Sequence, residues 1–278
     1  MSAPNTIWQI FVVGFFSVVC VAVVHGPAFA QQTTVSDSEP STDQRPIVIV
    51  HGAWGGAHHW KAVADALTHE HDREVHRVSL TGQGERVHLA GPQVTLKTHI
   101  QDVVNVIDYD DLHSVVLIGH SYGGGIISGV ADAIPDRLSQ LIYLDASLLE
   151  NGETFFSQNP EGLEKAIASA NAGGDGWRIP VPGPNPQRDV PHPLATLTHP
   201  IELTNPAREK IPAVYWLFAD GGPLEKDSRL FYFERAQQRG WPVKTFSWDH
   251  NPQRSKPDEL VAALVELFED TDDATHSP

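Results

Sequence analysis

A serine in a glycine-rich turn has the chemical type and the setting of a catalytic nucleophile. Ser121 lies in the stretch GHSYG (119–123), which fits G-x-S-x-G and separates an apolar run from a helical pattern. Glycines two residues either side of the serine let two backbones approach closely in a sharp strand-to-helix turn, so that the hydroxyl projects from the sheet. The amino terminus of the helix favours a developing negative charge there. The motif therefore predicts a nucleophilic serine rather than a capping serine in a plain turn.

A nucleophilic serine needs a general base, and the chain offers 15 histidines. His250 ends the last predicted strand, at the same carboxyl edge of the sheet as Ser121, and is the predicted base. Five others lie on or beside predicted surface helices and strands, and we interpret them as solvated residues rather than as a metal cluster: His58, His59, His69, His71 and His76.

The third catalytic group should be a carboxylate at a strand end, because the chain order expected for this motif is serine, then Asp or Glu, then histidine. Asp220 ends the run AVYWLFAD, one strand before His250, and is the first choice. Asp145, which ends LIYLD, is the alternative, and Asp227 is a third candidate. Each of them could instead cap the helix or loop that follows it.

A second small-residue turn follows the first predicted strand, in the stretch VHGAWGG (50–56). The backbone N–H groups of Ala53 and Tyr122 are predicted to form an oxyanion hole for a tetrahedral intermediate. Trp54 is predicted to wall the substrate pocket. Without the serine motif, the same stretch would be interpreted as an ordinary connection between a strand and a helix.

The elements that must hold these residues alternate between short β-branched runs and helical patterns. Strands are predicted at 46–52, 74–80, 114–120, 139–147, 213–220 and 243–250, with helices between them and a closing helix from Pro257. This alternation predicts the α/β class, with a mostly parallel sheet covered by helices on both faces. The core comprises residues 46–148 and 211–270, and the Pro/Gly-rich residues 149–210 are predicted to form a short lid insertion.

The amino terminus is typical of an exported protein. Residues 1–30 contain no Asp, Glu, Lys or Arg and resemble a signal peptide cleaved before Gln31, the alternative being a membrane anchor. Residues 31–45 are predicted to be a flexible linker and 271–278 a disordered tail. The predicted location is the periplasm or the exterior, without stable membrane association after cleavage.

Composition excludes several other functions. The formal net charge is −16, from 35 acidic and 19 basic residues, which would repel a nucleic acid. The one cysteine, Cys20, lies in the predicted signal peptide, so the mature chain would have no disulfide, cysteine nucleophile or cysteine-ligated metal.

Together these motifs resemble the α/β-hydrolase superfamily, and within it the plant methylesterases, the hydroxynitrile lyases and their bacterial relatives. The resemblance rests on HGAWGGAHHW, LTGQGERVHL, GHSYGGG, YLDASLLENGE, HPLAT and DHNPQRSKPDEL, and spans most of residues 46–270. It implies the α/β-hydrolase fold and a catalytic triad of Ser121, His250 and Asp220. It also implies oxyanion donors at Ala53 and Tyr122.

The resemblance implies an esterase that cleaves small carboxylic esters through an acyl-enzyme, with no cofactor or metal. The lyases resembled here carry Thr in place of Gly52 and Lys in place of Asn251, and both departures favour ester hydrolysis. The alternatives are a C–C or C–N hydrolase, a hydroxynitrile-lyase-like enzyme on the same triad, or a non-catalytic ligand-binding protein. A homodimer is an expectation of the family only.

Overall fold

A parallel sheet of six strands forms the centre of the molecule. The computed structural model describes residues 45–173, 175–184, 188–220 and 227–275. The strands of the sheet are β1 (Ile47–Val50), β2 (Val75–Val78), β3 (Val115–His120), β4 (Leu138–Leu144), β7 (Ala213–Phe218) and β8 (Val243–Phe246). Their order is β2-β1-β3-β4-β7-β8, and every neighbouring pair is parallel. The α/β class and the mostly parallel sheet are therefore confirmed.

The central strands are apolar on both faces because helices cover both faces of the sheet. Every residue of β1, β3 and β7 is buried. The helices of the core are α1 (Lys61–His69), α2 (Leu96–Tyr109), α3 (Gly123–Ala133), α6 (Leu230–Gln238), α7 (Pro252–Ser255) and α8 (Pro257–Thr275). Residues of α1 and α8 share one hydrophobic core with one face of the sheet, and residues of α2, α3 and α6 share the core on the other face.

The segment 149–210, here called the insertion, adds no strand to the central sheet within its described residues. It contains α4 (Pro160–Ala172), the short antiparallel pair β5 (Arg178–Ile179) and β6 (His192–Pro193), and α5 (Ala195–Thr198). The insertion joins β4 to β7, two strands that are neighbours in the sheet. Its position in the chain matches the predicted interruption.

Two predicted boundaries differ from the structure. The last strand ends at Phe246, so His250 lies in the connection that follows β8 rather than in the strand. The final helix runs to Thr275 and includes 271–275, which the sequence assigned to a disordered tail. That helix continues with acidic and small residues that have no helix-breaking Gly or Pro among them.

The predicted signal peptide and all of the predicted linker except Arg45 lie outside the described residues, so export stays a prediction. Arg45 is buried, and its guanidinium contacts the Ser139 hydroxyl at 3.3 Å. Within the described ranges, we find no helix with the length and apolar character needed to span a bilayer.

Candidate active site

The predicted nucleophile lies in a strained turn between β3 and α3. Ser121 has φ 55°, a left-handed conformation that a residue with a side chain rarely adopts. A Cβ atom on Gly119 would lie 2.8 Å from the Gly123 carbonyl oxygen, and one on Gly123 would lie 2.6 Å from the Val50 carbonyl oxygen. The glycines are therefore required by close backbone contacts, as the motif predicted.

The turn is fixed by backbone hydrogen bonds to the end of the neighbouring strand. The Ser121 N–H donates to the Leu144 carbonyl oxygen (3.1 Å), and the Ser147 N–H donates to the Ser121 carbonyl oxygen (2.9 Å). The chain just after β4 is thus held directly beside the nucleophile.

His250 is placed to act as the base. Its Nε2 lies 2.8 Å from the Ser121 Oγ, and its Nδ1 lies 2.5 Å from the Asp145 Oδ2. The His120 Nε2–H donates to the His250 carbonyl oxygen (2.7 Å), and the two imidazole centroids are 4.7 Å apart. Because its Nδ1–H donates to a carboxylate, His250 leaves Nε2 free to accept the serine proton.

The carboxylate that contacts His250 is Asp145, the alternative candidate, and not Asp220. Asp145 follows β4, and its side chain is completely buried. Its Oδ1 accepts a hydrogen bond from the Phe218 N–H (3.2 Å), which leaves Oδ2 for the imidazole. Asp145 has φ 47°, so the chain turns sharply where the side chain must reach the histidine.

Asp220, the first choice from sequence, is exposed and makes no hydrogen bond or ion pair with any residue that the structure describes. It lies two residues beyond the end of β7, and the Phe218 N–H at that end points to Asp145 instead. Asp227 has a local role, since its Oδ1 accepts a hydrogen bond from the Arg229 N–H (2.8 Å) at the start of α6.

An arginine that sequence reasoning missed lies against both His250 and Asp145. The Arg229 Nε is 3.2 Å from the Asp145 Oδ2, and one terminal nitrogen is 3.1 Å from the His250 Nε2. Burial lowers the pKa of His250 to about 3, and the Arg229 guanidinium acts in the same direction. Burial raises the pKa of Asp145, while Arg229 and the Phe218 N–H oppose that rise. The resting histidine is therefore neutral at ordinary pH, as a general base must be.

The two predicted oxyanion donors lie beside the serine. Ala53 and Tyr122 line the same pocket as Ser121. No acceptor for either backbone N–H is found among the described residues, so both amides are available to a ligand. Trp54 has φ 63° and lines this pocket, as predicted.

A buried polar network supports both donor turns from behind. The Trp54 N–H lies 3.3 Å from the His192 Nδ1, and the Val190 N–H donates to the Trp54 carbonyl oxygen (2.8 Å). The His99 Nε2–H donates to the Thr81 carbonyl oxygen, so its Nδ1 accepts the Tyr122 hydroxyl proton (2.9 Å). The insertion therefore contributes directly to the position of the Ala53–Trp54 turn.

The pocket at Ser121 has a volume of about 390 Å³ and is mainly apolar. Its walls come from both donor turns, from the start of the insertion and from α4. They include Phe155, Phe156, Ala166, Ile179 and Leu197, with Lys165 as the charged side chain among the described lining residues.

Several functional neighbours carried little signal in the sequence. His120 is the variable residue of the serine motif, so only its place next to a nucleophile could have marked it. His192 lies in the HPLAT stretch on which the resemblance partly rests. His58 and His59, interpreted from sequence as solvated, are half-buried, and their imidazoles lie beside Asp189. His69 and His71 are exposed as expected.

Comparisons with known proteins agree with this architecture. The model of the family described as "Alpha/beta hydrolase family" matches residues 47–263. The carbendazim hydrolyzing esterase of Nocardioides sp. (strain SG-4G) is 35% identical over 246 residues, which cover 80% of this chain and 98% of the relative.

Two solved structures share the fold. An extracellular alpha/beta-hydrolase from a Paenibacillus species aligns with a TM-score of 0.69 at 22% identity, over 80% of this chain and 98% of its own. A methylesterase from Arabidopsis aligns with a TM-score of 0.59 at 23% identity, over 81% and 99%. The family match covers most of the chain, and the relative and both structures are covered almost completely. The chain belongs to the alpha/beta hydrolase family.

Proposed function

We propose that this chain is a serine esterase that cleaves small carboxylic esters through a triad of Ser121, His250 and Asp145. The observation that carries the proposal is the continuous contact from the Ser121 Oγ to the His250 Nε2 and from the His250 Nδ1 to the Asp145 Oδ2. A serine in a left-handed turn, a neutral buried imidazole and a buried carboxylate are the three parts that acyl transfer to serine requires.

The reaction proceeds in two steps. The Ser121 Oγ attacks the ester carbonyl carbon while the His250 Nε2 takes the hydroxyl proton, and the imidazolium then gives this proton to the departing alkoxide. The Asp145 carboxylate stabilises the imidazolium and holds its tautomer. Water, deprotonated by His250, hydrolyses the acyl-enzyme and releases the acid. In both steps, the N–H groups of Ala53 and Tyr122 bind the oxyanion.

The pocket favours a small or aryl ester. Its volume of about 390 Å³ and its walls of Phe, Leu, Ile and Ala side chains suit an apolar group of modest size. The lining contains no Asp or Glu side chain among the described residues. An acyl or alcohol group without charge therefore fits these walls best.

Two residues favour hydrolysis over the lyase reaction. A Cβ atom on Gly52 would lie 3.1 Å from the Ser121 Cβ and 3.2 Å from the His120 Nδ1, so a threonine at this position would crowd the nucleophile. Asn251 follows the catalytic histidine and carries no charge to stabilise a departing cyanide. The similarity to a carbendazim hydrolyzing esterase also supports hydrolysis, and carbendazim belongs among the trial substrates.

The experiment compares Ser121→Ala with Ser157→Ala, a change at an exposed serine of the insertion. Each protein is assayed with methyl, aryl and acyl esters, carbendazim and a cyanohydrin, and is treated with a serine-reactive phosphonate. We expect the native chain and Ser157→Ala to hydrolyse esters and to be labelled, and Ser121→Ala to do neither while keeping its unfolding temperature.

Ester turnover by Ser121→Ala at the native rate would overturn the proposal. Phosphonate labelling with cyanohydrin cleavage, but without ester hydrolysis, would favour the lyase alternative. Absence of both labelling and turnover in the native chain would favour a ligand-binding protein.

A further inference from the structure

We propose that His58, His59 and Asp189 form a binding site for one divalent transition-metal ion, with Zn²⁺ as the best fit. One ligand atom from each of the three side chains lies within 4.8 Å of the other two. The His59 Nε2 is 2.9 Å from an Asp189 carboxylate oxygen. This group is the one set of three such ligands found among the described residues, and it lies outside the catalytic triad.

The histidines are consecutive in sequence but share one side of the chain. They lie in a 3-10 helix (Ala57–Trp60), where their ring centroids are 4.2 Å apart. The Ala57 N–H donates to the Ser79 hydroxyl (3.1 Å), and an Arg77 guanidinium N–H donates to the Ala57 carbonyl oxygen (2.9 Å). The first turn of this helix is therefore held at both backbone groups of its first residue.

Glycines make the space for both rings. A Cβ atom on Gly55 would lie 2.7 Å from the His59 Nδ1, and one on Gly56 would lie 2.8 Å from the His58 Nδ1. Any other residue at these positions would push an imidazole aside. The side chains of His59 and Asp189 are 9% and 20% exposed, so the cluster is largely shielded yet reachable by an ion.

The donor set selects the type of ion. Two imidazole nitrogens and one carboxylate suit Zn²⁺ and its neighbours, whereas Mg²⁺ and Ca²⁺ prefer oxygen ligands only. Ligands about 2.0–2.1 Å from a tetrahedral Zn²⁺ lie about 3.3 Å apart, so the His59–Asp189 contact needs to open by only a few tenths of an ångström. Lys61 is close in sequence, but its charge is paired with Asp65. Three protein ligands leave a fourth position for water.

The ion would connect the insertion to the oxyanion turn. Asp189 precedes Val190, whose N–H donates to the Trp54 carbonyl oxygen (2.8 Å). His59 follows the same turn a few residues later. Metal binding would therefore stabilise the position of the insertion against the turn that carries Ala53. The inference does not depend on ester hydrolysis, because its test measures the metal itself.

The test uses the full chain, treated with a chelator and then dialysed. Zn²⁺ is titrated against a chromogenic chelator, and bound metal is counted by mass spectrometry. We expect one Zn²⁺ per chain, little competition from Mg²⁺, and a higher unfolding temperature with Zn²⁺. His59→Ala and Asp189→Asn should each weaken Zn²⁺ binding by about 100-fold. His71→Ala, a change at an exposed histidine outside the cluster, should leave it unchanged.

Two further variants keep the result unambiguous. His250→Ala removes the imidazole of the catalytic triad, and it should still bind one Zn²⁺ per chain if the ion occupies the proposed site. Asp189→Asn preserves the side-chain shape, so loss of binding without loss of folded structure points to the carboxylate. Absence of Zn²⁺ binding by the native chain would overturn the proposal, and so would equal affinity in His59→Ala or loss of the ion in His250→Ala alone.

Discussion

Replacing Asp145 with asparagine should remove nearly all ester hydrolysis without unfolding the protein. The Oδ1 of Asp145 accepts the Phe218 N–H at 3.2 Å, and its Oδ2 accepts the His250 Nδ1–H. In Asp145→Asn, the amide oxygen must stay at the Oδ1 position, because only an oxygen can accept the Phe218 N–H. The amide NH₂ group then faces the imidazole.

This geometry determines the size of the effect. An NH₂ group donates to Nδ1, so His250 takes the tautomer with its proton on Nε2 and cannot accept the Ser121 proton. A wrong histidine tautomer of this kind costs about 10⁴-fold in kcat in a serine protease, which corresponds to about 5.5 kcal/mol of activation free energy. Asp220→Asn, at an exposed residue, should change kcat by no more than about twofold.

The assay measures kcat and KM for an aryl ester with native protein, Asp145→Asn and Asp220→Asn, and the unfolding temperature of each. The reasoning would be refuted if Asp220→Asn lost three or more orders of magnitude while Asp145→Asn kept most of its activity. A large loss in both variants would mean that both carboxylates are needed. In either case, the role of the histidine in Ser121 activation would be unaffected.

Three further changes test other parts of the structure. Arg229→Gln removes a cation that lowers the pKa of His250, so the acid limb of the pH profile of kcat/KM should move to higher pH; an unchanged limb would contradict this. Gly123→Ala places a methyl group against a β1 carbonyl oxygen and should lower the free energy of unfolding by about 1–3 kcal/mol in urea titrations. Burial lowers the pKa of His51 to about 3 and of His99 to about 4, both below the value of 6.5 in the unfolded chain. The unfolded state therefore binds protons first as the pH falls below about 6.5, and the free energy of unfolding should fall by about 1.4 kcal/mol per pH unit for each histidine down to about pH 4. Equal urea midpoints at pH 7 and pH 4.5 would argue against buried neutral histidines.

The strands and the nucleophile could be predicted because their signals are local. Continuous β-branched runs mark strands that are buried on both faces, and the glycines of GHSYG mark a turn that admits no side chain at 119 or 123. His250 followed from its place after the last such run. In each case, residues adjacent in sequence carry the physical requirement.

The acid could not be chosen in the same way, because Asp145 and Asp220 both follow buried parallel strands. Their difference depends on long-range contacts. The Phe218 N–H, at the end of β7, reaches across to the carboxylate after β4, and His250 comes back from β8 to meet it. The pairing of His59 with Asp189 is equally remote in sequence, so the individual histidines gave no sign of a shared site.

The position of Asp145 also changes what the connection after β7 contributes. Ser121 is joined to the chain on either side of Asp145 by two backbone hydrogen bonds, through Leu144 and Ser147. The spacing of nucleophile and acid is therefore set by β3 and β4, which are neighbours in the sheet. The region between β7 and α6 brings a cation, Arg229, to the histidine instead of an anion. Since Arg229 and the Ser121 hydroxyl both point at the single lone pair of His250 Nε2, this region adjusts the basicity of the imidazole, while the two central strands hold the triad together.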